Sequence, residues 1–473
     1  MVVRNTPAAR RALDEATRQA RQAAELAALR VHNPHAAGID VGDASHWACV
    51  GSTPDGSDTA REFPAHTAGL RQLVAWLKAA GATSVALGAT GVYSHVLYLT
   101  LLEAGFHVVV TSPKFTKQIQ GRPKTDRRDC QWIRRLHSHG LLPPTFQPDE
   151  ATHTLRDYVR QRANLVRLSG QHVQRMQKAL ELMNLKLTRV LGDVTGVTGL
   201  RVLRAILAGE RDPHELARLR DRRCKHTAAE IATALDGRYR PEHLCELRLC
   251  LAMWEQYQRV IAELDEVIAG QLRAMRRESG LPPLGPKPRL RGRKPHGPRF
   301  DVREALYQVT GADLTAIEGI DEVHALTLVS ELGCDFTRWP TVKHFTSWLG
   351  LCPCWKKTGG KVQSSRTRRG KGRAAHALRL AAWCLMRSKG ALGAYLRRQR
   401  SRLGAPKAIT AAAHKLARVV YGLMRFGQAY VKQTEQGYAE QVRERLERQL
   451  GRRARELGYE LKKVEAGPAA QQG

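Results

Sequence analysis

No apolar run in the chain approaches the ~18 residues that a bilayer-spanning helix takes, so the sequence offers no membrane span. Cysteine is sparse and unpatterned. Its nine residues are irregularly spaced, which argues against a disulfide framework and for reduced thiols in a cytosol. Cys352-Pro353-Cys354 has no second Cys/His pair at zinc-finger spacing, so a structural zinc site is not expected. Acids are also short in supply. Asp and Glu total 44 against 77 Lys and Arg, a formal net charge of +33, and the pI is near 10.4. A chain that cationic points to a polyanion, and nucleic acid is the usual one. An anionic membrane is the rival, without a segment to insert. Residues 1–34 carry Arg4, Arg10, Arg11, Arg18 and Arg21, as a transit peptide would. They also carry Asp14, Glu15 and Glu25, without an obvious cleavage site, and read as a basic exposed helix.

From His35 the pattern becomes one of strands and helices in alternation. Ala36 to Gly42 is a short apolar run that contains an acid, and His46 to Val50 continues as a second strand. Leu70, Leu73, Val74, Trp76 and Leu77 repeat at helical spacing before Gly81; Ser84 to Leu87 and His107 to Val110 read as buried strands. Together they predict an α/β domain over 35–150. Over 151–276, Val159, Val166, Val173, Leu180 and Leu187 recur every seventh residue, with Leu155, Met176 and Met183 at the other seam position. Arg162 and Ser169 interrupt that stripe. A second run, Leu247, Trp254, Ile261 and Ile268, predicts an antiparallel coiled coil around a set of small helices, paired within the chain or between chains. Residues 277–301 are a Pro-rich basic linker, expected to be extended and phosphate-seeking.

A last, mainly α domain is expected over 302–430, followed by a charged helical tail over 431–473. Leu314 to Asp321, followed by Ala325 to Gly333, has the shape of a helix-hairpin-helix, whose turn amides meet a DNA phosphate. Asp321 stands where that motif has its second glycine. Arg366, Arg368, Arg369, Lys371 and Arg373 then precede an apolar helix, Leu378 to Met386. Beside a Gly-rich turn in so basic a chain, they read as phosphate contacts.

The stretch with most chemistry is Lys124-Thr125-Asp126-Arg127-Arg128-Asp129, opening a helix through Cys130, Trp132, Ile133 and Leu136. Asp126 and Asp129 share a helix face at about 5–6 Å. Carboxylates that close repel unless a cation sits between them, and hard cations such as Mg²⁺ take oxygen ligands. The plainer reading is a solvated helix end, where acids complement the dipole.

The ordered motifs resemble one family. They are Gly38-Ile39-Asp40-Val41-Gly42, Ala89-Thr90-Gly91-Val92-Tyr93, Lys124-Thr125-Asp126 with Asp129, and Trp348-Leu349-Gly350-Leu351-Cys352-Pro353. Gly359-Gly360-Lys361-Val362-Gln363-Ser364-Ser365-Arg366-Thr367-Arg368 and Leu403-Gly404-Ala405-Pro406-Lys407-Ala408-Ile409-Thr410 follow. From His35 to about Tyr430 the chain resembles the DEDD-type transposases of bacterial insertion sequences, relatives of the Piv invertases. The resemblance implies a RuvC/RNase H-like domain, a coiled-coil insertion and a C-terminal transposase domain. It implies a cytoplasmic, nucleoid-associated recombinase that excises its element as a circle and inserts it. Its partners would be double-stranded DNA, as element ends and target, and a structured guide RNA that reads the target by pairing. It would act as a homodimer or homotetramer. By position, Asp40, Asp126 and Asp129 match three of four Mg²⁺-binding carboxylates, and Thr358 stands at the nucleophile. Lys124, Lys361, Arg366, Arg368, Arg369, Lys371 and Arg373 are the nucleic-acid-binding candidates.

Two positions depart from that pattern. Gly88 stands where the family has its second carboxylate, a Glu, and Thr358 where it has Ser. Glu62 and Glu103, the nearest acids, belong to other elements. A threonine hydroxyl can act as a nucleophile, although its β-branch restricts χ1. Three functions follow for testing: the transposase, impaired or not in this copy; a RuvC-like junction nuclease indifferent to Thr358; and a nucleic-acid binder that no longer cuts.

Overall fold

The computed structural model of the 473-residue chain describes residues 30–51, 58–116, 125–277, 280–285, 297–368, 370 and 372–460, with backbone alone for 428–443, 445 and 446. Residues 1–29 of the expected N-terminal helix, Lys124, Arg369, Lys371 and the tail beyond 460 lie outside the described residues. The chain divides into two compact units, Met1–Gln147 and Pro148–Gly473.

In the first unit the apolar runs and one largely polar segment, β3, form five strands: β1 (Ala36–Val41), β2 (Ser45–Gly51), β3 (Asp58–Pro64), β4 (Ser84–Gly88) and β5 (His107–Thr111). Helices α1 (Thr67–Ala79), α2 (Tyr93–Glu103), α3 (Pro113–Thr116) and α4 (Asp126–Ser138) complete it. The strand order is β3-β2-β1-β4-β5, antiparallel on the β2 side of β1 and parallel on the β4 side. Alternate residues of each strand face opposite layers. Ala37, Ile39 and Val41 join Phe63, Leu73, Leu77, Leu97 and Leu101 under α1 and α2. Ala86 and Val109 face the other way, onto Trp132, Ile133 and Leu136 of α4.

The second unit opens with two long helices, α5 (Glu150–Leu182) and α10 (Pro241–Ala274), that pack along each other within one chain. Their direction is antiparallel: Ala151 meets Gln271, Arg162 meets Asp265 and Ser169 meets Gln258. The two polar interruptions of the apolar stripe face polar partners, so they are matched layers. Arg162 and Asp265 are both buried, with Nε to Oδ1 at 2.5 Å. The stripe ends earlier than the heptad predicts. Asn184 takes a left-handed φ of 58° just past α5, and Leu187 falls in the next helix and in its core. Between the long helices lie α6 (Leu187–Val190), α7 (Val197–Leu207), α8 (Pro213–Arg218) and α9 (Ala228–Leu235).

Beyond α10 come α11 (Val302–Thr310), α12 (Glu322–Leu332), α13 (Val342–Trp348), β6 (Lys356–Thr358), β7 (Lys361–Ser364), α14 (Arg373–Cys384), α15 (Ala391–Leu403) and α16 (Ala405–Glu456). The described linker residues dock on helices: Pro282 accepts from the Tyr307 hydroxyl at 2.7 Å, and the Arg299 amide donates to Asp265 at 3.0 Å. α5 is tied directly to α12. Arg156 donates to the Ser330 and Glu331 carbonyls at 3.2 and 2.8 Å, satisfying last-turn acceptors, and Arg160 clasps the Glu331 carboxylate with two 2.8 Å bonds. Among the described residues no helix is long and apolar enough to cross a membrane.

Candidate functional site

The candidate carboxylates lie on one layer of the first unit. Helix α4 starts at Thr125, whose side chain accepts from the Arg128 amide, and buries Cys130, Ile133 and Leu136 against the sheet. Its contact with β1 is backbone on backbone. A Cβ on Gly38 would stand 2.2 Å from the Arg134 nitrogen and 2.6 Å from the Cys130 oxygen, closer than real Cβ atoms come. No residue but glycine allows this approach.

The direction of α4 follows from its far end. His137 is hydrogen-bonded to Ser84 at the start of β4, at 2.7 Å, and Ser138 accepts from His32 and Asn33, just ahead of β1. Arg134 pairs with Asp58, at the start of β3, at 2.7 Å. So α4 runs antiparallel to β1, and its first turn lies toward the end of β1 that carries Asp40. Asp40 has the parity of Gly38 and faces the α4 layer. Asp40 is half-buried, Asp129 half-buried and Asp126 exposed. Residues 86 positions apart in sequence are thus brought to one end of a layer. Among the described residues, however, no three His, Cys, Asp or Glu side chains converge as a ready-made metal site.

The register of β1 with β4 pairs Ile39 with Leu87, which sets Gly88 beside Asp40. Among the described residues, a Cβ built on Gly88 would meet no heavy atom within 4 Å, and its φ is not left-handed. No described residue takes the space a side chain would occupy. Nearby in sequence, the Thr90 hydroxyl oxygen is buried and has no hydrogen-bond partner among the described residues. A buried oxygen without a described partner and a position without a side chain fit a hard cation with its waters. Glu62 does not fill the gap. It pairs with Trp47, the neighbour of Asp40, about two strand spacings (~10 Å) from Asp40, and accepts from Ser45 at 2.5 Å.

The base of this layer is inert chemistry. Cys49 and Cys130 are fully buried; a hydrogen bond with Cys130 and then burial push the Cys49 thiol well above its usual range, which keeps it protonated and unreactive. Burial, aided by the nearby His107, pulls His137 down to about 4, so it is neutral at pH 7.

Thr358 belongs to the second unit and is the last residue of β6. The residues around it form a two-stranded ribbon. Thr358 pairs with Lys361 across Gly359 and Gly360, which have φ of 55° and 77°. Positive φ at both central residues makes a type I′ hairpin, and Gly-Gly is among its sequence signatures. Thr358, Lys356, Lys357, Lys361, Arg366, Arg368 and Arg373 are all exposed. Ahead of the ribbon, the Cys352 thiol donates to the Thr346 hydroxyl of α13 at 3.1 Å, and Phe345 of that helix is fully buried against Phe336, Trp339 and Tyr421.

At the helix-hairpin-helix candidate, Gly319 has a φ of 91° as a turn glycine would. Its Cβ position lies 2.8 Å from the Ala381 oxygen of α14, so the turn is packed against that helix. Asp321 caps α12 by accepting from the His324 amide at 2.8 Å, taking a donor that a phosphate would use.

A signal missed from sequence runs along this whole segment. No Asp or Glu stands between Asp335 and Glu435, while Lys and Arg recur throughout.

A DEDD-type family model of the IS110 group, described as Transposase, matches residues 37–185. A second, described as Transposase IS116/IS110/IS902 family, matches residues 311–397. No match was found among curated proteins. The first match implies a RuvC-like fold, which the mixed five-stranded sheet fits, and such families generally use a divalent metal. With the carboxylate layer under one match and the ribbon under the other, the chain belongs to the DEDD-type transposases of the IS110 family.

Proposed function

We propose that the chain is a recombinase of an insertion sequence that cleaves and rejoins DNA strands, excising its element as a circle and inserting it elsewhere under the guidance of a structured RNA. Asp40, Asp126 and Asp129 would hold Mg²⁺. The observation that carries this reading is the antiparallel packing of α4 on β1 through Gly38, which gives Asp40 and the first turn of α4 a common end. A bound divalent ion would polarise a phosphoryl oxygen and stabilise charge on it. Thr358 would attack phosphorus: its Oγ–P bond forms, a P–O bond to a sugar breaks, and the hydroxyl proton ends on the released sugar oxygen. The exposed Lys361, Arg366, Arg368 and Arg373 would hold the backbone, together with Lys124, Arg369 and Lys371. A homodimer or homotetramer would hold two duplexes.

Gly88 favours a second reading, that this copy binds nucleic acid without cutting it. Excision in cells carrying the donor ends and flanking RNA gene separates the two. If the chain as written yields circles, the three carboxylates and Thr358 suffice. If only Gly88→Glu with Thr358→Ser does, the copy is a binder with a decayed site. In an active copy, Asp40→Ala should abolish circles and spare RNA binding; circles from that variant would remove Asp40 from the site. Protein joined covalently to DNA through Thr358 would exclude a junction nuclease.

A further inference from the structure

We propose that the β6–β7 ribbon is a groove-reading element that enters the major groove of duplex DNA. This rests on the DNA-processing reading only in taking DNA as substrate; it requires no cleavage.

A two-stranded ribbon is marginal by itself in water. This one buries almost nothing: every residue of both strands is exposed except the half-buried Ser364. Yet it displays apolar surface, with Trp355 60 % and Val362 50 % exposed. Its cations, Lys356, Lys357, Lys361, Arg366 and Arg368, form no ion pair among the described residues. They cannot find one locally, because acids are absent from the surrounding segment. Apolar surface ringed by unpaired positive charge calls for a polyanion that also offers apolar edges. Nucleic acid does both, through phosphates and base edges.

The shape selects the duplex. The Gly359–Gly360 turn holds the strands at the ~4.8 Å spacing of a sheet, and a two-stranded ribbon matches the ~12 Å major groove of B-DNA. The major groove of A-form RNA is too deep and narrow for side chains to read. Thymine methyl groups line the DNA groove and suit Trp355 and Val362.

The test uses the full-length chain and a mixed-sequence duplex. Each phosphate contact contributes about 0.9 to the slope of log Kobs against log salt. Replacing Lys356, Lys357 and Lys361 with Gln should reduce that slope by about 2 to 3, and Arg at the same positions should restore it. A structured RNA hairpin should show the same slope with either protein. Dimethyl sulfate footprinting should show guanine N7 protected by the unaltered chain and open with the Gln variant. An unchanged slope on duplex DNA, an equal loss on RNA, or protection confined to adenine N3 in the minor groove would each overturn the assignment. Because binding and footprint are read without strand cleavage, a dead carboxylate site leaves the test intact.

Discussion

The carboxylate layer and the ribbon carry the two halves of the expected chemistry and are built in opposite ways. The layer is made by burial: β1 lies in the sheet centre, α4 touches it backbone to backbone at Gly38, and Cys49, Cys130 and His137 fill the space beneath. The ribbon is made by its turn and the pairing of its own two strands, and it leaves nearly all its side chains in water. The shape of the layer therefore comes from its packing and not from the candidate carboxylates. The ribbon depends on what it meets.

Substitutions should widen that contrast. Gly38→Val should have the largest effect, about 3 kcal/mol or more, since a side chain there has to part α4 from β1. The thermal midpoint of the first unit should drop by roughly 10 °C; a midpoint within a degree of the parent would mean the layer gives way easily. The second effect is on pH dependence. His137 titrates near 4 when folded, below its ordinary 6.5, so the unfolded chain takes up its proton first as pH falls. The first unit should lose stability from about pH 6.5 down toward 4 and be level above that window. His137→Gln should flatten this part of a midpoint-against-pH curve, and a curve unchanged in shape would place the titration elsewhere.

Smaller still should be Gly359→Ala, at about 1 kcal/mol for a left-handed residue. Its cost should appear in hydrogen exchange of the ribbon amides and not in global unfolding; a fall in the global midpoint would show that the ribbon is part of the core. Smallest is Gly88→Glu. With no atom of the described residues within 4 Å of its Cβ, the midpoint should shift by less than ~1 kcal/mol equivalent, while calorimetry should show tighter Mg²⁺ or Mn²⁺ binding. A large destabilisation would mean that the space is not accessible to a side chain.

What sequence disclosed follows from how each region is built. The helix of Asp126 and Asp129 was legible because capping by Thr125 and a buried stripe are local properties. The heptads disclosed both long helices, and their polar gaps at Arg162 and Ser169 made sense only once Asp265 and Gln258 stood opposite them. Gly38 stands in a legible motif, but its reason, the passage of α4 across it, depends on residues nearly a hundred positions away. The ribbon was readable from Gly-Gly between short polar strands, and hydrophobic patterning hid it because neither face is buried. The acid-free run from Phe336 to Thr434 needed only a count along the chain.

The matched polar layer of α5 and α10 has a mechanical consequence. Asp265 is held at once by the Arg162 guanidinium and by the Arg299 amide, where the linker returns to the helices. Sliding one helix past the other by a heptad would strand a buried charge and tear loose the chain that leads into α11. The pair is thus a strut of fixed length with its far strap riveted to the middle, and it transmits a push along its axis without ratcheting.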